Sequence, residues 1–499
     1  MECAGGSRTV ERSGRSGSTR VRVTVRGAWA LGVCLFLTAS GASARTWHVP
    51  SEAPTIQAGI DSAQAGDEVL VAPGTYTWTL EGSTGSAMLT LKPGVSLRGE
   101  GGAQATILDA EGIGRVIVCA DVGTQVRIED LTIQNGLASP PSPENARGGG
   151  IYVTGASEPT IVRCVFRDNR AFGYDGVSGL GGAIHCGVAT IEDCEFIDNQ
   201  AGTPSTGGYG GAILCGAAWI ERCYFEGNVV AGDFSAEGGA IRSHGAHIID
   251  SVFEENLAGA LRIAGGGAVI DYGAATITSC TFRLNEARAR VAAGGAVHTW
   301  DPGGTISRSV FLHNVARGSG SGGAIRATGA ATFITECVFL GNTARGENPL
   351  VPGEGGALYA SLGAAVENCT LIGNSGGTAD GTGGIWQPSG TVHATIIAGS
   401  VGNACGGSPG PTWTCSDLYG NGSNAICGTD GGGNFSADPQ FCAVDLVGTG
   451  NVTIQADSPC APGNHPDGAG CGVIGAAPVG CGSVSVHKST WTATKLLYR

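Results

Sequence analysis

Apolar and polar positions alternate in short runs that recur about every 28 residues along most of the chain. One recurring segment is Gly-Gly-Ala followed by an aliphatic residue, as at Gly238-Gly239-Ala240-Ile241. The aliphatic positions are Ile151, Ile184, Ile213, Ile241, Val269, Val297, Ile325, Leu358 and Ile385. Alternation with a period of two predicts short β-strands. A fixed period of this length predicts a repeat architecture.

A second motif, Phe-x-x-Asn, follows each Gly-Gly-Ala segment. Its Asn positions are Asn169, Asn199, Asn228, Asn256, Asn285, Asn314, Asn342 and Asn374, and a degenerate copy ends at Ser400. Strands stacked ~4.8 Å apart would bring successive Asn side chains within hydrogen-bonding distance. We therefore expect a structural Asn ladder that also satisfies turn amides.

A small residue lies two positions before each Phe or its substitute. These residues are Cys164, Cys194, Cys223, Ser251, Cys280, Ser309, Cys337 and Cys369. Because Ser fills two of the positions, the column requires small size rather than sulfur chemistry. We expect mostly free, buried thiols, and a disulfide between stacked neighbours, including Cys186 and Cys215, is the open alternative.

A unit of about 28 residues cannot bury its own apolar face, so successive units must stack on one another. Stacking in register makes neighbouring strands parallel. The predicted fold is all-β: a right-handed parallel β-helix solenoid with an N-terminal cap and a Cys-rich C-terminal cap.

The paired motifs resemble the repeat of chlamydial polymorphic outer membrane proteins, and this resemblance covers residues 148–400. The segment from Thr55 to Tyr76 resembles the opening of many bacterial pectin-lyase-fold proteins, which implies a short capping helix followed by a first strand. The stretches 438–442 and 457–476 resemble the C-terminal region of secreted bacterial β-helix repeat proteins.

Composition narrows the class of protein further. Gly accounts for 88 of 499 residues and charged residues for 14%, whereas Gly is typically ~7% of a sequence. A helical bundle would not tolerate this much Gly, and there is no collagen period. With a formal net charge of −14 and no basic block, we expect no nucleic-acid partner.

Residues 1–44 are predicted to be a signal peptide, with an apolar run from Ala28 to Thr38 and a small-x-small site at Ala42-Ser43-Ala44. A start near Val21 or Val25, with residues 1–20 mis-assigned, is left open. The expected location is secreted, extracellular or on the outer-membrane surface, with no transmembrane span in the mature chain.

Four further segments follow the signal peptide. Residues 45–147 are expected to form the N-terminal cap and first coils, and 148–400 the repeats. Residues 401–482 are expected to form the capping region. The tail, 483–499, changes composition abruptly, and it is interpreted as either a sorting tag or a frayed terminus.

Seven cysteines lie among Gly, Pro, Asn and Ser in the capping region. They are Cys405, Cys415, Cys427, Cys442, Cys460, Cys471 and Cys481. A segment with so little apolar content is expected to be held together by disulfides. The number is odd, so one cysteine is free or pairs elsewhere, and the spacing does not give the connectivity.

The best candidate for a binding surface is the row of residues that follow the aliphatic positions and are predicted to point outward. The row consists of Tyr152, His185, Leu214, Arg242, Ile270, His298, Arg326, Tyr359 and Trp386. Aromatic and Arg side chains on a flat sheet suit sugar rings or a protein face. An ordinary solvated strand face is the alternative.

Catalytic motifs of the pectin-lyase fold are not found. No Asn-Thr-Asp, Gly-His-Gly or Asp-x-Asp sequence occurs, although glycoside hydrolysis needs paired carboxyl groups and Ca²⁺ needs several oxygen ligands. We expect a monomeric, exported, non-catalytic protein for adhesion, envelope structure or glycan contact, without cofactor or metal. Its partner would be a glycan or a cell-surface protein, and a divergent polysaccharide lyase or hydrolase is the alternative.

Overall fold

A computed structural model describes residues 43–139, 146–174, 176–300, 302–329, 331–346, 351–444 and 451–481. The chain divides into two units, Met1–Ser43 and Ala44–Arg499, and the solenoid belongs to the second. The predicted signal peptide lies outside the described residues except for Ser43 and Ala44. The predicted tail, 483–499, lies wholly outside them.

Each complete coil of the solenoid passes through five short strands that belong to five parallel sheets. In one coil these strands are Ile213–Cys215, Ala218–Glu221, Tyr224–Glu226, Val229–Gly232 and Ser235–Glu237. We number the sheets first to fifth in that order and call each level of a sheet a rung. Every strand pairs in parallel with its equivalent in the next coil. The prediction of an all-β right-handed parallel β-helix is confirmed.

The first three sheets run along most of the described chain. The first contains Ala87–Leu91, Arg115–Ala120, Ile151–Thr154, Ile184–Cys186, Ile213–Cys215, Ile241–Ser243, Val269–Asp271, Val297–Thr299, Ile325–Ala327, Leu358–Ala360, Thr382–Trp386 and Asn403–Gly406. The second contains Thr46–Val49, Glu68–Val71, Ser96–Gly99, Arg127–Glu129, Thr160–Val162, Ala189–Glu192, Ala218–Glu221, His247–Ile249, Thr276–Thr278, Thr305–Ser307, Phe333–Thr335, Ala365–Glu367, Thr391–His393, Thr412–Thr414 and Thr429–Asp430. The third contains Gly74–Thr77, Thr106–Asp109, Thr132–Gln134, Val165–Arg167, Glu195–Ile197, Tyr224–Glu226, Val252–Glu254, Thr281–Arg283, Val310–Leu312, Val338–Leu340, Thr370–Ile372, Ile396–Ala398 and Asp417–Tyr419.

The remaining elements are shorter. The fourth sheet contains Leu137–Ala138, Arg170–Ala171, Gln200–Ala201, Val229–Gly232, Leu257–Ala260, Glu286–Arg288, Val315–Arg317 and Thr343–Arg345. The fifth contains Gly179–Leu180, Gly208–Tyr209, Ser235–Glu237, Ile263–Gly265 and Val291–Ala293. A separate pair joins Ile454–Gln455 to Val479–Cys481, and two short helices span Ile56–Ser62 and Trp78–Glu81.

The Gly-Gly corner before the first sheet requires two glycines for two different reasons. Gly238 adopts a left-handed φ of 66°, which a residue with a Cβ rarely adopts. A Cβ on Gly239 would lie 1.9 Å from the carbonyl oxygen of Gly267 in the next coil. The first glycine therefore makes the turn, and the second allows neighbouring backbones to stack.

The interior of the solenoid is filled by columns of identical or similar side chains. Phe225, Phe253 and Phe282 are fully buried, and their rings stack almost parallel, with centroids 4.6 and 4.7 Å apart. This one-residue-per-rung stacking explains why Phe recurs at a constant distance from the Gly-Gly corner.

The fourth and fifth sheets form a lateral arm beside the main solenoid. Ala and Val side chains fill a second small core in this arm, among them Ala201, Val230, Ala236, Ala258 and Ala264. Small side chains let the two sheets approach each other closely. The residue pattern does not predict this arm.

At the amino-terminal end, helix Ile56–Ser62 begins at the N-cap Thr55, whose side chain accepts a hydrogen bond from the Ala58 amide. Its buried residues include Ile56 and Ile60, as expected for an amphipathic helix that faces a core. The capping role of this region stays a prediction.

At the carboxy-terminal end, the first three sheets continue beyond residue 400, where the repeats were expected to end. Asn403–Gly406, Thr412–Thr414 and Asp417–Tyr419 add further rungs to these sheets. The motif becomes unrecognisable here because Phe and Asn are replaced, whereas the backbone pairing continues.

Three disulfides lie in the Cys-rich region, as predicted. They join Cys405 to Cys427, Cys415 to Cys471 and Cys442 to Cys481. Of the seven candidates, Cys460 remains a buried free thiol. Its Sγ lies 3.4 Å from Oδ2 of the buried Asp417.

The cysteines inside the solenoid are free and buried in this structure. They include Cys164, Cys194, Cys223, Cys280, Cys337 and Cys369 of the small-residue column, as well as Cys186 and Cys215. Burial raises the pKa of Cys186 to about 12, which keeps this thiol protonated and unreactive.

Candidate binding face

The nine residues of the candidate row lie on successive rungs of the first sheet. The pairing runs without interruption from Tyr152 opposite His185 to Tyr359 opposite Trp386. They alternate with residues that face the interior, so the row points away from the core. The structure therefore brings the whole row together on one face.

Part of this row is nevertheless covered, which corrects the expectation of an open outward face. Ile270 is 1% exposed and His298 is 4% exposed. The fifth sheet causes this burial, because a Cβ on its Gly265 would lie 2.9 Å from both His298 Nδ1 and Ile270 Cδ1. The middle of the row lies against the lateral arm, and its flat-sheet character is lost there.

Arg242 is the best-connected cation of the row. Its Nε donates a hydrogen bond of 2.8 Å to Oε2 of Glu237 on the fifth sheet. Its guanidinium lies 4.9 Å from the ring centroid of Tyr209 and 4.8 Å from that of Tyr272. Two aromatic rings and one carboxylate thus fix this arginine in place.

A second column of aromatic side chains runs beside the row. His244, Tyr272 and Trp300 each follow a strand of the first sheet, and their ring centroids are separated by 6.2 and 5.6 Å along the column. Trp300 is 43% exposed and its ring lies 5.2 Å from that of His298. The column presents ring surface to solvent beside the buried part of the row.

His298 is buried without hydrogen-bond partners on either ring nitrogen. Burial, together with the positive charge of Arg326, lowers its pKa to about 3, so the imidazole is neutral at pH 7. Arg326 donates from Nη1 to Ser321 Oγ at 2.6 Å, whereas its buried Nε has no partner. Unpaired polar atoms of this kind are uncommon in protein interiors.

The two ends of the row are aromatic pairs. At one end, Tyr152 meets His185 edge to face with ring centroids 5.5 Å apart. Burial and the positive charge of Arg147 lower the pKa of His185 to about 4. At the other end, Tyr359 and Trp386 stack at 4.4 Å, and both side chains are half-buried.

The carboxylates that neighbour the arginines of this face are far apart. Glu237 pairs with Arg242, and Glu354 lies near Arg326, where burial raises the pKa of Glu354 despite that positive charge. Backbone pairing places these two residues four rungs apart, which is about 19 Å at ~4.8 Å per rung. Two carboxyl groups that cooperate in glycoside hydrolysis lie within about 5 to 10 Å. This pair is therefore unsuited to that chemistry.

Among the residues that the structure describes, no group of three or more His, Cys, Asp or Glu side chains could hold a metal ion. In the same residues, no helix has the length and apolar character needed to cross a membrane.

Tyr209, Glu237, Tyr272 and Trp300 belong to this face but were not identified from the sequence. A signal for two of them was present, because His244, Tyr272 and Trp300 are spaced by 28 residues, each three positions after an aliphatic residue of the repeat. Tyr209 and Glu237 lie on the lateral arm, whose strands carry no recognisable pattern.

The comparisons with known proteins agree with the architecture. The right-handed beta helix region model matches residues 93–268 and 150–300, and the Chlamydia polymorphic membrane protein repeat model matches residues 336–361. No curated protein matches the sequence.

Two solved structures match the chain at low sequence identity. The A-module of the mannuronan C-5 epimerase AlgE6 from Azotobacter vinelandii is 17% identical, covers 77% of this chain and 95% of its own, and has a TM-score of 0.40. The catalytic unit of a GH87 α-1,3-glucanase from Streptomyces thermodiastaticus is 14% identical, covers 76% and 64%, and has a TM-score of 0.30.

The repeated motifs, the five parallel sheets and the two family models agree with one another. The chain folds as a right-handed parallel β-helix, and its residues 336–361 are similar to the repeat of Chlamydia polymorphic membrane proteins.

Proposed function

We propose that this protein is an exported, non-catalytic β-helix protein that acts at the cell surface or outside the cell by binding a glycan. The binding face consists of the partly exposed residues of the row from Tyr152 to Trp386 together with the aromatic column, and it excludes the buried Ile270 and His298. The observation that carries the proposal is the exposed Trp300 ring. It stacks on Tyr272, which Arg242 contacts, and it lies beside His298, which neighbours Arg326.

Aromatic rings and fixed arginines suit carbohydrate recognition for separate reasons. An aromatic ring offers a rigid apolar surface to the apolar face of a sugar. A guanidinium held in place, as Arg242 is by Glu237 and two tyrosines, can donate to hydroxyl oxygens with little loss of conformational freedom.

The location outside the cell is supported by two observations. Three disulfides join the C-terminal region, and such bonds form and persist in oxidising compartments. The family model that matches residues 336–361 describes a repeat of Chlamydia polymorphic membrane proteins.

The alternative of a divergent polysaccharide lyase or hydrolase requires acid and base groups close together. The separation of Glu237 and Glu354 on this face argues against it, and Glu237 is already paired with Arg242. A glycan array, together with reducing-sugar and unsaturated-product assays on every glycan that binds, separates the two functions.

The decisive variant is Trp300→Ala, and Trp219→Ala is its matched control. Trp219 is similarly exposed, at 41% against 43%, but lies on the second sheet. We expect glycan binding to weaken about tenfold in the first variant and to be unchanged in the second. Formation of a product from a bound glycan would support the enzyme alternative. If the protein bound a surface protein and no glycan, the proposed partner would be a protein instead of a glycan.

A further inference from the structure

Three arginines form a ladder on the fourth sheet, away from the binding face described above. Arg288 pairs with Arg317 across one rung, and Arg317 pairs with Arg345 across the next. Their neighbours Ala287, Ala316 and Ala344 are fully buried, whereas all three arginines are exposed. Because adjacent rungs are ~4.8 Å apart, three guanidinium groups follow one another along the solenoid axis.

The charges of this ladder are only partly balanced. Glu286 pairs with Arg288 at 2.8 Å and with Arg317 at 2.9 Å, so two cations share one carboxylate. Arg345 forms no ion pair with any other residue that the structure describes. Like charges at adjacent positions of a sheet are destabilising. The ladder is thus a local excess of positive charge in a chain whose formal net charge is −14.

The ladder lines a cleft of about 680 Å³. Arg288 pairs with Gly259 on its other side, and Gly377 lies beyond Arg345, with a Cβ there placed 3.4 Å from Arg345 Cα. Leu261, which is 69% exposed, and Val351, which is 46% exposed, also line the cleft. The cleft therefore combines a line of cations with apolar side chains at its border.

We infer that this cleft, which we call the arginine cleft, binds an extended acidic polysaccharide along the solenoid axis. Guanidinium groups donate two parallel hydrogen bonds to a carboxylate or sulfate. A single small anion could bind only some of the three guanidinium groups, because they are arranged in a line. A polymer with an acidic group on each sugar can bind all three in succession. Leu261 and Val351 provide apolar surface for the sugar rings.

The overall charge of the protein disfavours nucleic acid more than it disfavours an acidic polysaccharide with one charge per sugar. A chain with a net charge of −14 repels any polyanion at long range, and it repels double-stranded nucleic acid most strongly, because that carries one charge per ~1.7 Å of helix axis. A short acidic polysaccharide segment that lies within the cleft is attracted locally by the three arginines. Binding at the arginine cleft does not depend on Trp300 or the binding face. Each of the two proposed sites can therefore be disproved without affecting the other.

The test is a binding titration with polygalacturonate, its methyl ester, dextran sulfate and polyglutamate at low salt. We expect the polygalacturonate to bind and the uncharged methyl ester not to bind. Dextran sulfate distinguishes sulfate from carboxylate recognition, and binding of either polysaccharide at this cleft supports the inference. Failure of both to bind, or equally tight binding of the methyl ester or of polyglutamate, would overturn it.

The variants locate the binding to the ladder. Arg317→Gln and Arg345→Gln should each weaken polygalacturonate binding about tenfold, whereas Arg308→Gln, which removes an exposed arginine outside the ladder, should not. Arg345→Lys keeps the charge without the planar fork and should give an intermediate loss. Equal losses in the Arg308 and Arg345 variants, with circular dichroism unchanged, would contradict a site in the cleft.

Discussion

The side-chain amide of Asn256 donates a hydrogen bond to Oδ1 of Asn285 in the next coil, at 2.9 Å. The same amide donates to the backbone oxygen of Phe225, and Oδ1 of Asn256 accepts from the amide of Asn228. Equivalent bonds run from Asn169 to Asn374. All of them point in the same direction along the chain.

Replacing one member of this ladder leaves several buried polar groups without partners. Asn256→Ala should lower the free energy of unfolding by about 1–3 kcal/mol, as measured by urea denaturation. Asn256→Asp cannot donate to Phe225 and Asn285 and should cost at least as much at pH 7. A variant that unfolds like the parent would mean that the ladder does not contribute to stability.

Removing one ring of the aromatic stack should cost more than removing one amide. Phe253→Ala opens a cavity between Phe225 and Phe282 and should lower the free energy of unfolding by about 3–5 kcal/mol. Val252→Ala, at the half-buried neighbouring position, is the control and should cost less. Similar losses in the two variants would contradict the dominant role of the stack.

The last position of the Asn column offers a stabilising substitution. Ser400 occupies the position after Asn374, its buried Oγ has no hydrogen-bond partner, and its backbone N donates to Oδ1 of Asn421 at 2.8 Å. Ser400→Asn should connect Asn374 to Asn421 and raise the free energy of unfolding by about 1 kcal/mol. A loss of stability, seen as a lower Tm, would show that the position cannot accommodate the larger side chain.

Mild reduction should loosen the C-terminal region before the repeats. Its low apolar content makes it depend on the three disulfides, each of which contributes about 2–4 kcal/mol. Hydrogen exchange should rise from Cys405 to Cys481 while coils such as 213–240 stay protected. Mass spectrometry of alkylated, non-reduced protein checks that the disulfides lie in the C-terminal region. Alkylation of Cys415 or Cys471, together with disulfides among the cysteines of the small-residue column, would contradict the prediction.

The buried Asp417 should make the stability of this region depend on pH. Burial raises its pKa to about 7, whereas an unfolded Asp titrates near pH 4. Between these values the folded form binds more protons, so the stability falls as the pH rises from about 4 to about 7 and then levels off. Asp417→Asn should remove this slope from the Tm measured across that range. An unchanged slope would assign the effect to another group.

Much of the solenoid could be predicted because each repeated residue has one physical role. Gly238 makes a left-handed turn, Gly239 allows close stacking, and Phe253 and Asn256 occupy fixed positions in columns. When such residues recur at a constant spacing, the register of the parallel strands follows from the spacing alone.

The burial of His298 could not be predicted in the same way. It depends on the lateral arm, whose strand Ile263–Gly265 has no alternating pattern because its inner face requires only small residues. The residue pattern therefore indicates which side of the first sheet faces outward, but not whether another element covers that side.

Four successive aliphatic positions, Ile213, Ile241, Val269 and Val297, are separated by 28 residues each, and each pairs with its equivalent in the next coil. One such coil could be duplicated or deleted as a unit in the gene, because the new junction would join residues that already stack in the same way. Each event would lengthen or shorten the molecule by one rung of about 4.8 Å. The aromatic column and the arginine ladder can therefore be extended during evolution without any redesign of the interior.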